Sequence, residues 1–199
     1  MTQEALRRAK EAFAIEAREV QRAQEIMDMD AFSKAVEALR TAPRIAASGC
    51  GHSGIACRHF AHLMCCIERP ARFISPAEAV HGASGFLQPG DAIVLVSRGG
   101  KTKELLPIAE ISRKKGAVVI AVTEALDSPL AQLSDIVLPM KVETETDRYN
   151  SQGTSSFTVT NVIFDALQAA LIEETGYKNE QFALIHPGGA VGERLNAQK

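Results

Sequence analysis

The hydrophobic positions divide the chain into segments of two kinds. Between Glu4 and Met27, the residues Leu6, Ala9, Phe13, Val20 and Met27 recur at near-helical spacing among many charges, the pattern of an amphipathic helix. Asp30 is the expected cap of a second helix that ends near Arg40. After Pro43 the pattern changes to short apolar runs without alternation, at residues 44–47, 72–74, 92–96, 118–122 and 136–139. Runs such as AIVLV and VVIAV read as strands buried on both faces. Helical patterns separate them, at residues 53–67, at 102–115, from Ser128 and Pro129 onward, and at 155–174, before a glycine-rich tail.

Strands alternating with helices predict an α/β fold with a doubly wound, five-stranded parallel sheet in the flavodoxin-like order 2-1-3-4-5, preceded by N-terminal helices. Residues 1–42 form those helices, packing on the domain or on an oligomer, and residues 43–199 form the main domain. In that order strands one and three are neighbours, and the crevice between the loops that leave them is the expected binding place. Those loops are SGCGHSG at 48–54 and SRGGKT at 97–102.

Composition narrows the picture. A chain of 199 residues with 46% hydrophobic and 23% charged content supports one well-filled core. A net charge of −2 gives no general attraction for nucleic acid or an anionic membrane, so neither is an expected partner. The charged N-terminus lacks the apolar centre of a signal peptide, and no later run is read as long enough to span a bilayer, so the chain is expected in the cytoplasm. Cys50, Cys57, Cys65 and Cys66 crowd one stretch with His59 and His62, but without paired Cys-x-x-Cys spacing; reduced thiols are expected, and no metal.

Glycine at a helix start leaves backbone N–H groups open to a phosphate, and nearby hydroxyls add donors. Ser48, Gly49, Gly51 and Ser53 in the first loop, and Ser97, Gly99, Gly100 and Thr102 in the second, are the candidates, with Thr154, Ser155 and Ser156 opening the last long helix. The glycines also have a plain reading as tight strand-to-helix turns. An ATP-binding P-loop at Gly100, Lys101 and Thr102 fails on spacing, because its first glycine would fall on Leu95. Gly49, Gly51 and Gly54 match a dinucleotide fingerprint, yet the second strand ends Phe73, Ile74, Ser75 without the carboxylate that a ribose needs.

The motifs GCGHSG at 49–54, SPAEAVHG at 75–82, SRGGKTKEL at 97–105, GTSS at 153–156 and FALIHPGGAVG at 182–192 together resemble the SIS (sugar isomerase) domain. Within it, the chain is similar to the D-arabinose 5-phosphate isomerases. The resemblance implies reversible conversion of D-arabinose 5-phosphate to D-ribulose 5-phosphate through an enediol, feeding synthesis of the lipopolysaccharide sugar Kdo. It implies no cofactor, and a homo-oligomer, usually a tetramer, whose sites are shared between subunits. The paired CBS modules of many relatives are expected to be absent, since four residues follow Leu195.

Carried over by position, Ser97, Gly99, Thr102, Ser155 and Ser156 should hold the phosphate, and His81, Glu145 and His186 should surround the sugar. Glu145 is the expected enediol base and His186 the ring-opening or proton-shuttling group. The chain departs from the family where His52 replaces a lysine of the first loop and Lys101 a glutamate of the second; Lys101 is expected to take over the cationic role, with no carboxylate left in that loop. Two rival readings stand beside this one: an isomerase of another phosphosugar, and a non-catalytic sugar-phosphate sensor.

Overall fold

The computed structural model describes residues 1–197. Strands β1 (Ile45–Gly49), β2 (Ala71–Phe73), β3 (Ala92–Val96), β4 (Val118–Thr123) and β5 (Ile136–Pro139) form one parallel sheet in the order β2-β1-β3-β4-β5, as expected. Because side chains alternate across a strand, every strand but the edge strand β2 serves two cores. On one face Ile45, Ala47, Val94, Val96, Ile120 and Val122 pack beneath helices α1 (Gln3–Ile26), α2 (Met29–Thr41), α3 (Gly51–Cys66) and α7 (Ser155–Thr175). On the other, Ala46, Ile93, Leu95, Val119 and Ala121 pack on α4 (Pro76–Ala79), α5 (Leu106–Lys114) and α6 (Pro129–Gln132). Short helices α8 (Asn179–Ile185) and α9 (Gly189–Asn196) occupy what the pattern reads as a glycine-rich tail.

The boundaries differ from the reading in instructive ways. Asp28, not Asp30, caps α2: its Oδ1 accepts the N–H groups of Asp30 and Ala31, both at 3.0 Å. Helix α5 starts at Leu106 rather than Thr102, because Pro107 lacks an N–H and belongs in a helix's first turn. Residues 97–105 are therefore an open loop. By length and composition α7 would cross a bilayer, contrary to the reading that no run would, but its residues Val159, Ile163, Phe164, Leu167 and Leu171 lie in the core.

Two glycines of the first loop are explained by packing alone. A Cβ on Gly54 would stand 2.6 Å from the Gly49 carbonyl oxygen, and one on Gly49 would stand 2.8 Å from the Ser53 carbonyl carbon. The start of α3 is thus pressed against the end of β1, and no side chain fits between. Gly54→Ala is expected to lower unfolding free energy by about 1–3 kcal/mol through overpacking, outweighing alanine's helix advantage of about 1 kcal/mol. Chemical denaturation measures it, and a variant as stable as the wild type would show that β1 and α3 separate freely.

Candidate active site

The register pairs Gly49 with Val96, so β1 and β3 end side by side and their loops leave together at the point where the winding reverses. The first loop is largely committed to the fold. Ser48, a candidate ligand by sequence, is fully buried and its hydroxyl donates to the Ile74 carbonyl at 2.7 Å; it joins β1 to the end of β2 and is not free to bind. Gly49 is likewise a packing residue. Gly51 keeps a conformational role, with φ of 55° and open space where a Cβ would be.

The second loop is built differently. Ser97 Oγ and Thr102 Oγ1 lie 2.8 Å apart, and the loop is closed by Gly100 N–H to Ser97 O at 3.0 Å and Leu105 N–H to Thr102 O at 3.0 Å. Gly100 has φ of 62°, and a Cβ there would stand 1.9 Å from Ser128 Oγ, so only glycine turns the chain here. Among the described residues, no backbone hydrogen bond engages the N–H groups of Gly99, Lys101, Thr102 and Lys103. Two hydroxyls and four N–H groups without a backbone acceptor thus lie along this one loop, the donor supply that an anion nest uses. Lys101 is exposed at its rim.

Arg98 leads from this loop into the interior. Its guanidinium binds Glu124 Oε2 through Nε at 2.9 Å and Glu145 Oε1 through Nη1 at 2.7 Å. Glu145 is 1% exposed, and its other oxygen accepts from Thr154 N–H at 2.8 Å, Thr154 Oγ1 at 3.0 Å and Ser156 N–H at 3.3 Å. The carboxylate thus fills the N-terminus of α7, where N–H groups lack helical partners and the dipole favours an anion. Burial pushes the Glu145 carboxyl up, but the hydrogen bonds from Ser156 and Thr154 outweigh it and hold the group below its ordinary value.

This changes the expected roles. A carboxylate with both oxygens engaged and a depressed pKa is a poor proton acceptor. Thr154 and the Ser156 N–H serve Glu145, while the Ser155 hydroxyl is buried without a partner. Ser53, His52, Arg98 and Ser156 line one narrow cleft, with His52 edge-on to Phe157 at 5.9 Å and a Gly153 Cβ position 3.3 Å from His52 Nδ1.

Glu104, passed over in the sequence, is the free carboxylate. It lines a cavity of about 390 Å³ with Gly49, Cys50, Gly51, Arg58 and Ser75, and it is exposed. Burial, followed by the Glu104 charge, pushes the Cys50 thiol up. The second loop therefore does hold a carboxylate, seven positions after Ser97, against the expectation that none remained. The helix pattern read from Thr102 hid it by placing Glu104 on a helix; Pro107 was the signal that the loop runs further.

Two histidines are not brought to these loops. His81 is exposed beyond α4, and the Glu104 cavity takes in Ser75, Pro76 and Ala77 but not His81. His186 ends α8, its ring 4.9 Å from Phe182, and Phe182 shares a cavity with Cys66, Gln168 and Ile172. Gln168 is thirteen residues along α7 from Ser155, about 20 Å at 1.5 Å per residue. Within one chain His186 thus faces the opposite end of α7 from Glu145.

The depressed Glu145 carboxyl makes a pH-dependent prediction. A group with a lowered folded pKa contributes stability above its unfolded value, about 4.3 for glutamate, and that contribution is lost as pH falls through the folded value. Wild type is expected to exceed Glu145→Gln by roughly 1–3 kcal/mol at neutral pH, and the gap should close in acid. Denaturant titrations of both proteins across pH measure it; a gap that does not change with pH would mean that the ionised form is not favoured.

Comparison with known proteins agrees with this architecture. Residues 38–170 match the family model of the SIS domain. Arabinose 5-phosphate isomerase KdsD of Pseudomonas aeruginosa is 37% identical over 167 residues, covering 83% of this chain and 51% of the relative. The chain spans about half the length of the curated relatives it matches. A Listeria monocytogenes structure described as a candidate sugar-phosphate isomerase superposes with a TM-score of 0.91 at 38% identity, covering 94% of this chain and all (100%) of that one. An Escherichia coli CFT073 protein in complex with A5P superposes with a TM-score of 0.86 at 28% identity, covering 94% of this chain and 100% of that one. The sheet order, the paired loops and the match over residues 38–170 agree, and the chain belongs to the SIS domain family.

Proposed function

We propose that the chain is an aldose–ketose isomerase of sugar phosphates, interconverting D-arabinose 5-phosphate and D-ribulose 5-phosphate and so supplying Kdo synthesis. The observation that carries the reading is the anion nest at 97–103 beside a free carboxylate, in a chain similar to an arabinose 5-phosphate isomerase. A charged, membrane-impermeant substrate of this kind suits a cytoplasmic enzyme.

In this reading the nest of Ser97, Gly99, Gly100 and Thr102 holds the phosphate, with the unpartnered Ser155 hydroxyl as a further donor and Lys101 as the mobile cation. Glu104 is the base. It takes the C2 proton of the open-chain aldose while O1 gains a proton, giving the enediol, and returns that proton to C1 as O2 loses its own and becomes the carbonyl. His186 moves protons to and from the oxygens or opens the ring. Glu145 fixes Arg98 and α7, and His52 lends a secondary contact at the cleft. The step needs no redox cofactor and no metal.

Since His186 faces away from its own loops, it serves the site of a second copy, and His81 is free to do the same. The exposed first half of α1, with Phe13 on its surface, is suited to hold such copies together in a homotetramer.

EDTA-treated protein is expected to interconvert arabinose 5-phosphate and ribulose 5-phosphate, followed by NMR, and to leave free arabinose essentially unchanged. Binding of several phosphosugars without turnover of any would favour the sensor reading, and turnover of a different phosphosugar would reassign the substrate. Glu104→Gln and His186→Ala proteins, each inactive alone, should regain about a quarter of wild-type activity when subunits exchange at random. No recovery after demonstrated exchange would place both residues of a site in one chain.

A further inference from the structure

A carboxylate outside these loops ties the N-terminal helix to them. Glu19 of α1 is 1% exposed, and its Oε2 accepts the Glu143 N–H at 2.9 Å across 124 residues of sequence. Its Oε1 is buried without a partner. One turn further along α1, Arg22 pairs with the Glu143 side chain. From Glu143 the bonds run directly inward. Its carbonyl accepts from Asn150 Nδ2 at 3.3 Å, and Asn150 Oδ1 accepts the Glu145 N–H at 2.5 Å. The Glu145 carboxylate then holds Arg98, whose own carbonyl is fixed by Thr123 Oγ1 at 2.9 Å and Glu124 N–H at 3.0 Å, one residue before Gly99 of the nest.

A carboxylate buried with a single hydrogen bond is unfavourable, and an apolar side chain of similar size would suit the fold better. Ile15 and Ala23 already bury the same helix, so its docking does not call for a charge at Glu19. We propose that Glu19 is a positioning residue: it holds the Glu143 backbone and through it sets Glu145 against Arg98, so that the geometry of the nest depends on α1. The activity consequence rests on the isomerase reading, and the structural consequence does not.

The test compares Glu19→Met, Glu19→Asp and Glu19→Gln in the full chain. Methionine fills the volume but offers no oxygen, aspartate keeps the charge but falls one methylene short, and glutamine keeps an acceptor. Amide hydrogen exchange over residues 141–154 and kcat/KM for the phosphosugar are measured with Tm. The Met and Asp variants are expected to exchange the Glu143 and Glu145 amides about tenfold faster and to lose about tenfold in kcat/KM. The Met variant should keep at least the wild-type Tm, and the Gln variant should stay within about twofold of wild type in both readouts. Should the Met variant not fold, the Asp and Gln variants decide by the same readouts. Unchanged exchange in the Asp variant overturns the proposal, as does a Gln variant that loses activity and Tm together. If the wild type turns over no phosphosugar, the isomerase reading falls, and the exchange comparison alone decides the role of Glu19.

Discussion

The interior contact between Arg98 and Glu145 is the constraint on which the site depends. Here the Glu145 side chain is buried and the Arg98 side chain 36% exposed, and taking a carboxylate out of water costs about as much as one such attraction returns. This one is compensated by number. Glu145 takes Arg98 on one oxygen and three donors of the α7 start on the other, and Arg98 also takes Glu124. The end of β3, the loop after β4, the 141–154 loop and the first turn of α7 are thereby fixed to one another. Val96, Val142 and Phe157 anchor three of these segments in the apolar core, and the polar bonds fix how their ends meet at the site.

That arrangement separates the two carboxylates of the region by environment. Glu145, surrounded by donors, is held in its charged form and offers no free oxygen. Glu104, on an open loop against the first glycine turn, is exposed at the edge of a cavity. Two glutamates near the end of β3 thus divide into a buried, fixed anion that shapes the site and an exposed one on a loop. The difference follows from hydrogen-bond supply, not from residue type.

Much of this was legible in the residues. The five apolar runs follow from periodicity, and the strand order and paired loops agree with the common doubly wound order expected for five parallel strands. The failures turned on contacts that local pattern does not carry: which donor meets which acceptor, and which backbones press together. Asp28 and Asp30 are equally good caps by type, and the backbone decided between them. Gly49 and Gly54 imitate a nucleotide fingerprint because close packing of a helix on a strand demands glycine whether or not a ligand follows. Ser48 looks like a ligand in sequence, but the Ile74 carbonyl that takes its hydroxyl is 26 residues away. The burial of Glu145 required knowing that residues 98, 145 and 154 converge, which no local pattern encodes. Pro107, by contrast, was a readable sign that Glu104 lies on a loop.

The length of α7 has the final structural consequence. Its N-terminus is fastened to the site by Glu145, and its 21 residues carry the chain away from it before α8 and the His-Pro-Gly-Gly turn form. A Cβ on Gly192 would stand 2.4 Å from the His186 carbonyl oxygen, so α9 is seated tightly on that turn and presents His186 in a defined place. That turn lies at the far end of a core helix from its own chain's loops. In the isomerase proposed above, the loops it would serve belong to a second copy, and assembly would complete the site. Helix α1 is divided in the same way: its buried half bonds the 141–154 loop through Glu19, and its first half is exposed and carries Phe13.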